Sequence, residues 1–137
     1  MDASTLRALD RERYVSLVTF RKTGREVATP VWWALAGERF YAFSESDAGK
    51  MKRLRNSPRV KLAGCGMTGK VHGAWHTGRA HEVDDPAVVE RAYAALRAKY
   101  GWQMRLTDLG SRLAGRIGNR AVIEIEVEGP EEAAPAG

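Results

Sequence analysis

The sequence predicts a small antiparallel β-barrel with helical additions. Six stretches of the chain have the β-branched, aromatic or alternating pattern of strands. The first three follow one another through tight turns, which is typical of an antiparallel meander. The helical patterns are inserted late and do not alternate with the strands, so the rhythm of a parallel β-α-β sheet is missing. A mainly β barrel therefore fits the sequence better than a doubly wound fold.

Each element has its own signal in the sequence. Strands are predicted over Tyr14–Arg21, Glu26–Leu35, Arg39–Ser44, Arg59–Gly66, Ala74–Val83 and Ala121–Glu128. Helices are predicted over residues 2–13 with Ser4 or Thr5 as N-cap, over 47–56 with Ser46 or Asp47 as N-cap, over Pro86–Tyr100 between Asp85 and Gly101, and along Trp102, Leu106, Leu109 and Leu113. With 137 residues the chain is long enough for one core. We therefore expect a single domain over 1–129 and a disordered tail over 130–137.

The second predicted strand is apolar or aromatic on both faces. Val31 and Trp33 lie on one face, whereas Pro30 and Trp32 lie on the other. A strand with one wet face would alternate more cleanly, so we expect the core to cover one side and a ligand or a second subunit to cover the other. Pro30 removes a hydrogen-bond donor from the ladder, which indicates that the backbone there faces something other than a neighbouring strand.

A candidate anion site follows the third predicted strand. The segment Gly49–Arg53 opens a helix, so free backbone N–H groups and the side chains of Lys50 and Arg53 can converge on one phosphate. The alternative is a solvated basic helix without a ligand. Trp32 and Trp33 could form a wall for a flat heteroaromatic ring. The alternative for either one is a core tryptophan, although the two point to opposite faces and cannot enter the same core.

The net charge of +5, from 22 Lys and Arg against 17 Asp and Glu, favours a polyanionic partner. That partner could be a nucleic acid, a membrane surface, or a phosphorylated or polycarboxylate cofactor. The cations cluster with tryptophans at one hairpin exit, and neither an RNP-like strand nor a helix-turn-helix pattern accompanies them, which disfavours nucleic acid. No apolar run has the length of a membrane span or a signal-peptide core, so we expect a cytoplasmic protein without membrane contact.

Several classes of site lack their motifs. Cys65 is the single cysteine, so the chain can form neither an intrachain disulfide nor a CxxC site. We interpret Cys65 as a core residue. His76 and His81 point opposite ways on a strand, and no carboxylate lies at ligand spacing to them or to His72, so no metal site is predicted. The chain also lacks a nucleophile elbow, a Rossmann glycine motif and a P-loop.

Three stretches of the chain resemble one known family. They are YVSLVTFRKTGREVATPVWWAL, ERFYAFSESDAGKMKRLRNSPRVKLAGC and GAWHTGRAHEV. Their order is similar to that of the pyridoxamine-phosphate-oxidase-like split β-barrel oxidoreductases, which use flavins or deazaflavins, and the TPVWW and SDAGKMKRLRNSPRV blocks are fairly specific together. The resemblance covers residues 12–128 and is greatest to the short branch of coenzyme F-420-dependent reductases.

The resemblance implies a six-stranded, FMN-binding-protein-like split β-barrel that forms a homodimer with two cofactor sites at its interface. By likeness to the family, Thr29, Pro30, Val31 and Trp32 would lie along the cofactor ring, Ser44, Lys50, Lys52 and Arg53 would bind its phosphate, and the partner subunit would present Trp75. The cofactor would be coenzyme F-420, a deazaflavin whose anionic tail suits a wide cationic surface, with FMN as the alternative. The substrate would be a small unsaturated or quinone-like hydride acceptor.

The chain departs from the pyridoxamine phosphate oxidases proper. Those enzymes have an arginine and a lysine on the ring strand, where this chain has Ala28 and Trp33. They also have a C-terminal substrate segment with arginine and histidine, where this chain reads PEEAAPAG. Both differences argue against vitamin B6 oxidation. Two other functions stay open: a cofactor carrier or haem-binding split barrel without turnover, and a basic nucleic-acid-binding domain.

Overall fold

Alternating strands and short turns give one curled antiparallel sheet in the computed structural model, which describes residues 2–45, 49–101 and 120–131. The strands are β1 (Tyr14–Phe20), β2 (Glu26–Val31), β3 (Trp33–Ala36), β4 (Arg39–Glu45), β5 (Arg59–Cys65), β6 (His76–Val83) and β7 (Arg120–Pro130). The helices are α1 (Ala3–Asp10), α2 (Gly49–Asn56) and α3 (Pro86–Tyr100). The fold is mainly β, which confirms the prediction.

The two edges of the sheet are joined by a single residue. The strand order is β2-β1-β5-β6-β7-β4-β3, so β2 and β3 lie at opposite edges, yet only Trp32 separates them in the chain. β2 pairs with β1 up to Val31, opposite Val15, and β3 pairs with β4 from Trp33, opposite Ala42. The sheet must therefore curl round on itself. The second predicted strand is split at this corner, which is why the sheet has seven strands where six were predicted.

The inward-facing residues of the curled sheet form the main core. Leu17, Leu62 and Ile125 are almost completely buried there, and Trp33 stacks on Phe40 with ring centroids 3.9 Å apart. Full burial of one such side chain stabilises the fold by about 1.5–3 kcal/mol. The indole nitrogen of Trp33 has no hydrogen-bond partner within the described residues, so the packing of its ring is what this residue contributes.

Two short helices insert apolar side chains into the same core. α1 contributes Leu6, and α2 contributes Met51 and Leu54. The N-cap of α1 is Asp2, whose carboxylate accepts the N–H of Thr5 at 2.8 Å. The predicted N-cap, Ser4 or Thr5, was wrong, because Asp2 is itself a strong N-cap residue and lies upstream of both.

α3 covers the outer face of β3 and β4. Asp85 caps it by accepting the N–H of Ala87 at 2.9 Å, Pro86 is its first residue, and Gly101 ends it with a φ of 55°. These limits agree with the prediction from capping residues. The buried residues of α3 are Ala92, Leu96 and Tyr100, and they pack on Ala34, Tyr41 and Val122 of the sheet.

Three predicted features lie outside the described residues. They are the N-cap of α2 at Ser46 or Asp47, the helix along residues 102–113, and the tail beyond residue 131. At the near end of that tail, β7 extends to Pro130, and the N–H of Glu131 donates to the carbonyl of Trp75 at 2.9 Å.

Candidate functional site

The proposed ring strand is the edge strand β2, and one of its faces is open. Val31 is buried in the core and Thr29 is half-buried on the same face, whereas Ala28 and Pro30 are exposed on the other. A Cβ built on Gly69 would lie 4.0 Å from Cγ of Pro30, so the loop after β5 approaches this outer face. An edge strand tolerates a proline because its outer side needs no ladder donor. Within the described chain, the core covers one face of β2 as predicted, whereas the other face is left largely exposed.

The two adjacent tryptophans point in opposite directions, as predicted. Trp33 enters the main core, and Trp32 lies half-buried on the outer side, where it stacks on Tyr100 with centroids 4.5 Å apart and an angle of 8° between the planes. Tyr100 therefore occupies one face of the Trp32 indole. A flat ligand would have to contact the opposite face or the edge of that ring.

Polar groups from the end of α3 hold the corner at Trp32. The Tyr100 hydroxyl accepts the N–H of Trp33 at 3.0 Å and lies 2.8 Å from the carbonyl of Arg13, to which it donates. The Lys99 ammonium donates to the carbonyl of Trp33 at 2.7 Å and pairs with Asp10 at 3.3 Å. Burial lowers the pKa of Lys99 and raises the pKa of Tyr100. These contacts satisfy backbone groups that lose their ladder partners where the strand breaks.

The cations of α2 are placed unequally. Lys52 is exposed, whereas Lys50 and Arg53 are half-buried. Nε of Arg53 donates to the hydroxyl of the fully buried Thr19 at 2.6 Å. Burial, and then the nearby charge of Arg21, lower the pKa of Arg53. A guanidinium of α2 is thus turned back toward the sheet and away from solvent.

This hydrogen bond brings Arg53 close to the proposed ring strand. Thr19 is paired with Val27, and Thr29 follows two residues later on the same face of β2. With a rise of about 3.4 Å per residue, Thr29 is only about 7 Å along the strand from Val27. The structure therefore brings together two parts of the predicted site, the ring strand and a phosphate-binding cation.

Ser44 and Trp75 lie on other strands. Ser44 is buried near the end of β4, the strand that directly precedes α2, and it pairs with Ala121 of β7. Trp75 immediately precedes β6 and is half-buried, with the Lys61 ammonium 5.1 Å from its ring centroid. The same Lys61 ammonium pairs with Glu26 at the start of β2 at 3.1 Å. The role of Trp75 in a partner subunit stays a prediction.

A basic groove at the other end of α2 was missed by the sequence reasoning. It has a volume of about 550 Å³ and is lined by Phe20, Arg21, Lys22, Gly24, Asn56, Ser57 and Arg59. The guanidinium of Arg59 lies 4.7 Å from the ring centroid of Phe20. The available signal was the pair of cations in the turn after β1, but nothing in the sequence shows that this turn meets the end of α2.

A carboxylate–histidine contact fixes the loop after β5. Oε2 of Glu12 lies 2.7 Å from Nε2 of His72, and the backbone N–H groups of His72 and Gly73 both donate to the carbonyl of Gly64. A Cβ on Gly64 would lie only 2.5 Å from the carboxyl carbon of Glu12. Gly64 is therefore required for the carboxylate to lie across β5 and reach the loop.

A second polar cluster crosses three neighbouring strands. The hydroxyl of Tyr41 donates to Glu124 at 2.8 Å, and Nε2 of His81 lies 3.4 Å from the other oxygen of Glu124. Burial and the bond to Glu124 raise the pKa of Tyr41 to about 12. The three residues are direct cross-strand partners, so the sheet register creates this cluster.

The other site classes can be checked over the described ranges. No group of three or more His, Cys, Asp or Glu residues there could hold a metal ion. Cys65 is buried, and burial raises the pKa of its thiol, which is unfavourable for a nucleophile. No helix of that part of the chain is both long and apolar enough to span a membrane.

Sequence comparison now assigns the family. A family model described as pyridoxamine 5'-phosphate oxidase matches residues 1–132. The chain belongs to the pyridoxamine 5'-phosphate oxidase family. This family binds flavin-type cofactors, and the resemblance seen in the three sequence stretches is confirmed. No protein with a curated function matches the chain by sequence.

Solved structures with the same fold bind different groups according to their names. An FAD-binding protein from Mesorhizobium loti has a TM-score of 0.60 and 20% identity over 96% of each chain. An F-420 reductase has a TM-score of 0.58 and 16% identity over 90% of this chain and 92% of its own. A haem storage protein from Vibrio cholerae has a TM-score of 0.60 and 14% identity over 96% of this chain and 91% of its own. Similarity of fold therefore does not select the cofactor.

Proposed function

We propose that this protein is a deazaflavin (coenzyme F-420)-dependent oxidoreductase that transfers a hydride to a small unsaturated or quinone-like acceptor. When bound, the deazaflavin supplies the hydride chemistry, and the residues of this chain bind and orient it. The proton that completes the reduction can come from solvent, so a site built from apolar, aromatic and cationic residues suits that role. Membership of the family and the likeness to an F-420 reductase support the proposal.

The observation that carries the proposal is the 2.6 Å hydrogen bond from Arg53 to Thr19. It holds a guanidinium beside β2, a short distance along the strand from Thr29. Flavin-type cofactors join a flat ring to a phosphate through a short ribityl chain. A strand edge for the ring with a guanidinium a few residues away supports binding of such a molecule.

The number of cations favours the deazaflavin over FMN. FMN carries one phosphate, whereas coenzyme F-420 carries a phosphodiester and a chain of glutamates. Around α2 the chain offers Lys50, Lys52 and Arg53, and Arg21 and Arg59 follow at the groove beyond them. A longer anionic ligand can use more of these positions than a single phosphate can.

We further propose a homodimer that completes two cofactor sites. Ala28 and Pro30 leave the outer face of β2 exposed, although the strand is apolar on both faces. A second copy of the chain would cover this face and bring its own Trp75 to the ring. Light scattering on the purified protein tests this state, and a monomer at all concentrations would contradict it.

Titration of cofactor-free protein with coenzyme F-420 and, separately, with FMN tests the choice of cofactor. We expect saturable quenching or enhancement of the deazaflavin fluorescence and weaker binding of FMN. Tight FMN binding with none to the deazaflavin would overturn the choice. Turnover is tested with reduced F-420 and a small quinone, where reoxidation must depend on the protein and must fall in the Arg53→Ala variant.

A binding protein without turnover is the second candidate, because the haem storage protein has the same fold. Haem titration followed by absorbance distinguishes it: saturable haem binding without F-420 or FMN binding would support this candidate. A basic nucleic-acid-binding domain predicts salt-dependent retention on DNA, and failure to bind DNA at low salt would remove it.

A further inference from the structure

The basic groove lies where the turn after β1 meets the end of α2. The turn is tight, because the N–H of Gly24 donates to the carbonyl of Arg21 at 2.8 Å and Gly24 has a φ of 89°. Arg21 and Lys22 of this turn line the groove together with Arg59 at the start of β5. Two separate parts of the chain therefore direct cations at one volume of about 550 Å³, which is in the usual range for small-molecule sites.

The cations of this groove have no carboxylate partner within the described residues. Several cations elsewhere do have one: Arg39 pairs with Glu126, Arg55 with Glu82, Lys61 with Glu26 and Glu131, and Lys99 with Asp10. Within the same described ranges no such pair is found for Arg21, Lys22 or Arg59, which line the groove. Like charges at close range repel each other, so this arrangement lacks the compensation that the other cations receive.

A further cation, Arg53 of α2, does not line the groove but lies close enough to Arg21 to interact with its charge. The guanidinium of Arg53 is partly buried and donates a hydrogen bond to the neutral hydroxyl of Thr19. Burial and the charge of Arg21 both lower its pKa. The charges of Arg53 and Arg21 repel each other, and a bound anion would reduce that repulsion. The aromatic ring of Phe20 under Arg59 fixes a further guanidinium at the groove wall.

We propose that this groove binds a small anion that carries two or more closely spaced phosphate or carboxylate groups. Three cations line the groove, so a ligand with several charged groups can contact more of them than a single small anion can. The planar fork of each arginine matches a phosphate or carboxylate in a bidentate manner. Asn56 and Ser57 at the end of α2 line the groove, whereas the predicted phosphate position is Gly49–Arg53. The inference does not rest on the proposed function, and the test decides between a separate anion and the charged groups of a bound cofactor.

Calorimetric titration of the cofactor-free protein with inorganic pyrophosphate tests the site. The variant is Arg21→Gln with Lys22→Gln, both exposed turn positions whose change should not disturb the core. The matched control is Arg7→Gln with Arg11→Gln, which removes the same charge from exposed positions in and next to α1. We expect the groove variant to bind pyrophosphate about tenfold or more weakly, because two charge-assisted contacts are lost. The control should stay within about twofold of the unmodified protein, because neither Arg7 nor Arg11 lines the groove.

Three results would overturn the inference: no binding of pyrophosphate, equal loss in both variants, or no loss in the groove variant. The source of the anionic groups is decided by repeating the titration on protein saturated with coenzyme F-420. Competition means that the groove takes charged groups of the bound cofactor itself, and undiminished binding means that it takes a separate anion. A protein that binds pyrophosphate here but no deazaflavin would retain this inference and lose the proposed function.

Discussion

Tyr100 stacks on Trp32 with ring centroids 4.5 Å apart, and its hydroxyl accepts the N–H of the next residue, Trp33, at 3.0 Å. One side chain from the end of α3 thus holds both the indole proposed to contact the cofactor and the backbone of the corner that presents it. The orientation of Trp32 therefore depends on a helix for which the sequence predicted no role at the site.

Removing the Tyr100 hydroxyl should weaken this corner. In Tyr100→Phe the N–H of Trp33 loses its acceptor in a buried setting, so the free energy of unfolding should fall by about 1–3 kcal/mol. Urea unfolding measures the loss. Tyr93→Phe is the matched control, because no described residue hydrogen-bonds that hydroxyl, and it should change stability by less than about 0.5 kcal/mol. Equal stability of the two variants would contradict the clamp.

The Tyr41–Glu124 bond should produce a pH-dependent loss of stability. The pKa of Tyr41 is raised from 10.0 to about 12, so the folded state favours the protonated phenol. The stabilisation is fully present below the unfolded pKa and is lost as the pH rises toward the folded value. Between these pH values the unmodified protein should lose stability faster than Tyr41→Phe, and parallel curves in alkaline denaturant melts would show that the bond does not matter.

Gly64→Ala should release the loop after β5. The added methyl group would take the place of the Glu12 carboxylate, so the 2.7 Å contact with His72 would break and the fold would lose about 1–3 kcal/mol. Hydrogen exchange of residues 66–73 reports the loop directly. Gly66→Ala is the control, because a Cβ there meets nothing within 4 Å. Faster exchange in both variants, or in neither, would be evidence against the tether.

Lys50→Ala should weaken cofactor binding by about 1–3 kcal/mol if the ammonium meets a phosphate. Fluorescence titration with coenzyme F-420 gives the dissociation constant. Arg55→Ala is a suitable control on the same helix, because Arg55 pairs with Glu82 at 3.0 Å, and its loss should leave the constant nearly unchanged. An unchanged dissociation constant for Lys50→Ala would mean that this part of α2 is a solvated basic face without a ligand.

A charge on the open face of β2 should prevent self-association. Ala28→Glu places a carboxylate where the second copy is proposed to pack, and burying it unpaired would cost several kcal/mol. Light scattering should then report a monomer, whereas Ala98→Glu on the exposed side of α3 should leave the mass unchanged. A dimer in both variants would move the interface elsewhere.

Much of this fold could be predicted because it depends on residues that are neighbours in sequence. The rest could not be predicted, because it depends on contacts between residues that are distant in sequence. The limits of α3 follow from Asp85, Pro86 and Gly101, because capping depends on neighbours in sequence. The break at Trp32 does not follow from neighbours, because it occurs where the chain changes partner from β1 to β4. The opposite directions of Trp32 and Trp33 needed only the period of a strand, so that prediction was correct.

The candidate site was predictable to a similar degree. The cations of α2 are visible as a run, but the sequence gives them equal weight, and only the structure separates the half-buried Arg53 from the exposed Lys52. Lys99 and Tyr100 were missed as positioning groups because their partners lie far away, near the start of the chain and at the corner. The basic groove was missed for the same reason.

The single-residue link at Trp32 has a consequence for the order of folding. The hairpins β1–β2 and β3–β4 are each local and can form early, but nothing in them fixes their relative orientation. That orientation is set only when β7 pairs with β4 and β6, bringing together residues as distant in sequence as Phe40 and Ile125. Late pairing between remote segments slows folding. We therefore expect the corner, and with it the proposed ring contact, to be among the last parts of the nascent chain to acquire its final geometry.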